Sequence, residues 1–205
     1  MKAISALFLA TMLFGIQSLR AQVVADGATN TLSNVTNSII GDVTIGTNGS
    51  FTLLILSDNT LLTNSGSGQI GLNASAKSNE VRLVSPTARW RSGNGLTVGN
   101  DGASSRLLVS NGAYLEGNGA VMAFTRASSN NSALVTGSGS IWTNRGDLTV
   151  GDNGRGNQLI ITNGGQVASR FGYVSLNATT SNNLVMVSGN GSAWAMQQDL
   201  EFGYF

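Results

Sequence analysis

Apolar residues in this chain fall in short runs that alternate with polar or small residues, and the runs return at a fixed interval. At a spacing of 26, apolar pairs flanking one residue stand at Ile70/Leu72, Leu96/Val98, Met122/Phe124, Leu148/Val150, Val174/Leu176 and Leu200/Phe202. Val43/Ile45 joins them if the first unit is one residue short. A second ladder runs through Val81/Leu83, Leu107/Val109, Ala133/Val135, Leu159/Ile161 and Val185/Val187, and Leu54/Leu56 joins after the same shift. Alternation with period two over a few residues predicts strands with one buried face. A third column, Leu115, Ile141, Val167 and Ala193, is weaker and is interrupted by Arg89.

Trp90, Trp142 and Trp194 recur at a spacing of 52, and "LTVGNDG" from Leu96, "LTVGDNG" from Leu148 and "LEFGYF" from Leu200 move with them, each placing a glycine (Gly99, Gly151, Gly203) after the apolar pair. Asn-Gly recurs between the runs and supplies positive φ at tight corners. A series of antiparallel hairpins would use the same turns. Uniform unit length and the scarcity of helix-period segments favour stacking of like on like. The expected fold is all-β, a right-handed parallel β-helix (β-solenoid) of about seven 26-residue coils paired as 52-residue repeats, making a rod on the order of 33 Å long. Residues 22–79 read as degenerate N-terminal coils and 80–205 as repeats (80–131, 132–183 and an incomplete 184–205). At 26-residue spacing Glu116 and Ala168 fill the slots between tryptophans. The tryptophans are read as covers for a corner, with a row of saccharide-stacking rings about 10 Å apart as the alternative.

Composition narrows the function. Residues 1–21 carry Lys2, an apolar run from Ala3 to Ile16 and a short polar stretch ending at Ala21, the layout of a cleaved signal peptide. The run is too short to span a bilayer, and no later stretch reads as a membrane helix. Without Lys2 and Arg20 the chain has 9 basic and 10 acidic residues, so neither nucleic acid nor another anionic partner is implied by its charge. There is no cysteine to form disulfides and no histidine for nucleophile triads or histidine zinc sites. No catalytic residue, cofactor or metal is expected.

Local motifs are weighed against the repeat. Arg145-Gly146-Asp147 spells an adhesive tripeptide, but Gly-Asp before the strand suits the repeat and only the arginine is individual. "GLNASAKS" from Gly71 has Ala76 where a phosphate-binding loop needs glycine, and its counterpart "SLNATTSNN" leads into a strand. Asp101 and Asp152 beside glycines allow calcium at isolated turns without forming a regular aspartate column. Asp147 and Asp199, two coils apart, are spaced as an acid and base could be, but Tyr173 in the slot between and Gly95 in the one above make no wider cluster, and each aspartate reads as the cap of a turn. Thr97 and Thr149 hint at a threonine column.

The segment "LVTGSGSIWTNRGDLTVGDNGRGNQLIITNGGQVAS" resembles the repeat of bacterial autotransporter (type V secretion) passengers and PEP-CTERM-associated exported proteins. Val135, Gly137, Gly139, Ser140, Trp142, Asn144, Gly146, Leu148, Val150 and Gly151 match its first half, and Leu159, Ile161, Asn163, Gly164, Gly165 and Val167 its second. The resemblance covers residues 80–205 well and 28–79 loosely. It implies an exported protein, extracellular, at the cell surface or outer membrane-associated, with a structural or adhesive role. Surface glycans or a host or neighbouring cell are the expected partners, with self-association through an open C-terminal coil as a further possibility. The alternative is a glycan-binding or glycan-active β-helix.

Overall fold

The structure is a computed structural model describing residues 23–203; residues 1–21, read above as a signal peptide, lie outside that range. It is a β-solenoid of three parallel seven-stranded sheets. The first sheet stacks Thr29–Leu32, Leu53–Leu56, Glu80–Leu83, Arg106–Ser110, Ser132–Thr136, Gln158–Thr162 and Leu184–Ser188. The second stacks Thr36–Ile39, Leu61–Asn64, Arg89–Ser92, Tyr114–Gly117, Ile141–Asn144, Gln166–Ser169 and Ala193–Met196. The third stacks Val43–Ile45, Gly68–Ile70, Leu96–Val98, Ala120–Met122, Leu148–Val150, Gly172–Val174 and Leu200–Phe202. One strand from each makes a coil, numbered here 1 to 7.

The first sheet keeps the expected constant spacing from Val81 through Leu107, Ala133 and Leu159 to Val185. The other two do not. Ile70 pairs with Val98, Val98 with Met122, and Met122 with Val150, so the third sheet advances by a longer and a shorter step in turn. Its inward pairs are therefore Gly68/Ile70, Ala120/Met122 and Gly172/Val174 in the even coils, two positions upstream of the pairs expected there. Phe124, expected inside, is exposed. In the second sheet Leu115 and Val167, rather than Glu116 and Ala168, share the inward column with Trp90, Trp142 and Trp194. Arg89, Ile141 and Ala193 point outward with Tyr114 and Gln166.

The tryptophans explain the alternation. Trp90 and Trp142 are fully buried inside the rod and Trp194 partly so; they cover no corner, and no sugar can stack on the first two. A Cβ built on Gly68 would lie 2.6 Å from Cζ2 of Trp90, and one on Gly172 would lie 2.9 Å from Cζ2 of Trp194. The indole thus extends under a third-sheet slot of the preceding coil that has no side chain. Ala120 holds that slot for Trp142, at the same offset that separates Gly68 from Trp90 and Gly172 from Trp194. To seat the ring, the step from Leu83 to Trp90 is one residue longer than that from Val109 to Leu115, and the step from Trp90 to Leu96 is one longer than that from Leu115 to Ala120. The return to the first sheet compensates, being two residues shorter from Val98 to Leu107 than from Met122 to Ala133.

A polar ladder runs beside this core at the corner that returns to the first sheet. Thr52, Asn79, Ser105, Asn131, Asn157 and Asn183 occupy equivalent slots, and all but Asn183 are fully buried. Oδ1 of Asn131, Asn157 and Asn183 accepts the backbone N–H of Ser105, Asn131 and Asn157 in the preceding coil at 2.8, 3.0 and 2.9 Å. Nδ2 of Asn131 and of Asn157 donates to the next asparagine's Oδ1. Buried amides in such a column satisfy one another and the corner backbone. Gly99 and Gly151 adopt φ of 77° and 80°, and a Cβ on either would strike Asn131 or Asn183 within 2.5 Å. The ladder breaks at Ser105, which is too short, leaving its Oγ and Asn79 Nδ2 without partners.

Two substitutions probe this packing. Gly68→Val should destabilise the rod by about 1–3 kcal/mol through overpacking. In a double-mutant cycle of thermal melts, combining it with Trp90→Leu should cost clearly less than the two single changes together; additive losses would refute the fit between ring and gap. Ser105→Asn, a residue that already fits at the equivalent Asn157, should complete the ladder and raise stability by about 1–2 kcal/mol in denaturant titration.

Candidate functional site

Strand alternation buries Trp90 and Ser92 and turns Arg89 and Arg91 outward; one coil on, Leu115 is buried and Tyr114 and Glu116 face out. Parallel pairing sets Arg89 beside Tyr114 and Arg91 beside Glu116. The Arg89 guanidinium lies 5.6 Å from the Tyr114 ring centroid, within cation–π range. Glu116 is shared: Oε2 is 3.6 Å from Arg91 Nε, and Oε1 is bonded by Arg145 Nη2, which reaches back from the next coil. Glu116's side chain is 17% exposed, against 54% for Arg91 and 70% for Arg145, so the carboxylate sits low between two raised guanidiniums. They border a hollow of 260 Å³ that also takes in Thr63, Asn64 and Asn118.

The tripeptide Arg145-Gly146-Asp147 fills the corner between Ile141–Asn144 and Leu148–Val150. Gly146 lies close against the coil before it, where a Cβ would approach the Asn118 carbonyl oxygen to 2.2 Å. Arg170 binds Asp147 with two hydrogen bonds, at 2.9 and 3.1 Å, and the Phe171 N–H adds a third at 3.3 Å. Asp147 thereby raises the Arg170 guanidinium above its ordinary pKa. Arg170 also lies over Phe171, which stacks on Tyr173 at 5.9 Å. Both charges of the tripeptide are thus engaged with neighbouring coils, and an approaching receptor would have to part them.

Other sequence candidates are dispersed. Phe171, not Tyr173, stands in the slot between Asp147 and Asp199, because Leu148 pairs with Gly172. Residues 71–79 form a corner followed by the strand Glu80–Leu83, not by the helix a phosphate-binding loop needs. Thr97 and Thr149 stand in a column that also holds Thr44, Gln69, Val121, Tyr173 and Glu201, and both Thr44 and Thr149 are buried, so the column presents no threonine array. Among the described residues no three acidic, histidine or cysteine side chains gather as metal ligands. In coil 7 the column-bearing Val187, Leu200 and Phe202 are 46%, 39% and 69% exposed.

Stacking the sequence at a constant spacing of 26 misses the Arg89, Arg91, Tyr114, Glu116 and Arg170 cluster because it places Glu116 beneath Trp90. The signal that finds it is a spacing of 25, which relates Arg89 to Tyr114, Arg91 to Glu116 and Arg145 to Arg170. Compared with family models, curated proteins and solved structures, the chain matches none.

Burial raises the Asp152 carboxyl above its ordinary value, while hydrogen bonds from Asn153 and Asn177 pull it down. With the folded value above the unfolded one, the charged carboxylate costs stability at neutral pH, and that cost is relieved as pH falls through the folded value. Melting temperatures of the wild type and Asp152→Asn, compared at neutral pH and near pH 4, should shift in the wild type's favour on acidification.

Proposed function

We propose that this chain is an exported, passenger-type solenoid that acts at the cell surface as a structural and adhesive rod, by presenting its faces to glycans or to a neighbouring cell rather than by catalysis. The observation that carries this reading is the unbroken coil-on-coil stacking, in which corners as well as strands are bonded to the coil before. Asn100, Phe124 and Leu176 N–H groups, for example, reach back to Gly71, Gly99 and Gly151 at 3.0–3.1 Å. A shape held this way does not wait for a ligand to organise it, which suits presentation.

The repeat motif supports the passenger reading. Val135, Trp142, Leu148 and Val150 occupy inward slots, and Gly137, Gly139 and Gly151 take positive φ at corners. Its residues thus serve the coil, leaving the outward positions free to vary. The Asp147 carboxylate, the best placed of the acid–base candidates, is committed to Arg170.

The test is expression of the full-length chain, leader included, in a Gram-negative host. The expected result is a protein whose N-terminus is Gln22 and which is accessible on intact cells to antibody and added protease. A chain that keeps Met1 and stays inside the cell would overturn the proposal.

A further inference from the structure

We propose that the hollow between Arg91 and Arg145, on the outer face of the second sheet, binds acidic saccharides of the polyuronate class. The inference deepens the adhesive reading above and rests on it for biological meaning, though not for its test.

The charge distribution on this face is the first argument. Of its fourteen outward slots over seven coils, from Thr36 to Ala195, only Arg89, Arg91 and Glu116 carry charge. All the charge in these slots lies in coils 3 and 4, and Arg145 joins it from the corner of coil 5. Two guanidiniums flank the Glu116 carboxylate, and Arg89 stands two residues from Arg91 on the same strand face, in a chain that, beyond residues 1–21, has one more acidic than basic residue. The composition that argued against an anionic partner averages over this local excess.

The second argument is geometric. Each guanidinium carries five N–H donors, and Glu116 takes only a part of those on Arg91 and Arg145. Its two oxygens each engage one arginine, Oε2 facing Arg91 and Oε1 bonded by Arg145, at the border of the hollow. Arg91 and Arg145 belong to coils two spacings apart, about 10 Å along the rod axis, whereas Arg170, one coil further on, is committed to Asp147. A chain bearing a carboxylate on every unit can meet both free-edged guanidiniums together, which multiplies weak contacts.

The lining selects a sugar. The hollow is shallow, and Thr63 and Asn118 border it with polar groups suited to hydroxyls. It contains no apolar pocket for a peptide side chain.

The test is calorimetric titration of the purified full chain with hexagalacturonate, with neutral maltohexaose and polyglutamate as comparison ligands. The wild type should bind hexagalacturonate, with affinity falling as salt rises, and should bind the other two much more weakly. Arg91→Ala and Arg145→Ala should each weaken binding about tenfold or more. Arg126→Ala, which removes the same charge elsewhere, should leave it unchanged. Thr63→Glu sets a carboxylate at the rim while keeping every arginine and should also abolish binding, so the result does not hang on one variant's folding, which thermal melts check. The proposal is overturned if the wild type does not bind hexagalacturonate, if Arg126→Ala weakens it equally, or if polyglutamate binds as well as the uronate. Failure here leaves the exported rod standing, and failure of export leaves the titration unaffected.

Discussion

An indole can lie inside a coil this narrow only where the coil before it leaves an opening, and most of the architecture follows from that requirement. Gly68 and Gly172 provide the opening directly, and Ala120 keeps its place in the series. Because the ring and its gap sit in successive coils, coils must come in two kinds. The corners lengthen around the tryptophan and shorten on the return, so that from coil 3 onward the first sheet keeps a constant advance while the other two alternate. The tryptophan period is therefore a packing unit of two unlike coils rather than two copies of a smaller one.

This also explains which features can be read from the letters. The coil number, the parallel stacking and the first-sheet ladder are legible because inward Val, Leu and Ile recur at constant spacing there. In the third sheet the even coils carry Gly68, Ala120 and Gly172 at the inward slot, residues that a search for apolar pairs passes over in favour of Leu72, Phe124 and Leu176 downstream. The asparagine column is hidden for a different reason. Asn and Ser are expected in exposed turns, and nothing local marks Asn131 or Asn157 as buried, although both recur in step with the first-sheet strands they precede. The arginine cluster is lost through the register error alone, since one residue of slip carries a side chain from outside to inside.

The interior and exterior obey separate rules. Inward slots are constrained by coil geometry, so variation there meets either a ring or a gap. Outward slots are constrained only by their immediate neighbours, and pairs such as Arg170 with Asp147 or Arg82 with Glu80 show local charges settled within one or two coils. Exposed pairs of this kind add little stability. What they do is fix where side chains point, and a rod stiffened by its interior then carries that pattern without distortion.

The two-coil unit also governs how a gene for such a rod can grow or shrink. Copying the stretch for a single coil would set two coils of the same kind in succession, either a ring against a leucine where it needs glycine or a glycine with no ring to fill its space. Copying a whole two-coil unit preserves every ring with its gap. Unequal recombination in the coding sequence is thus filtered by the fold into steps of two coils, and viable length variants of this rod should differ by an even number of turns.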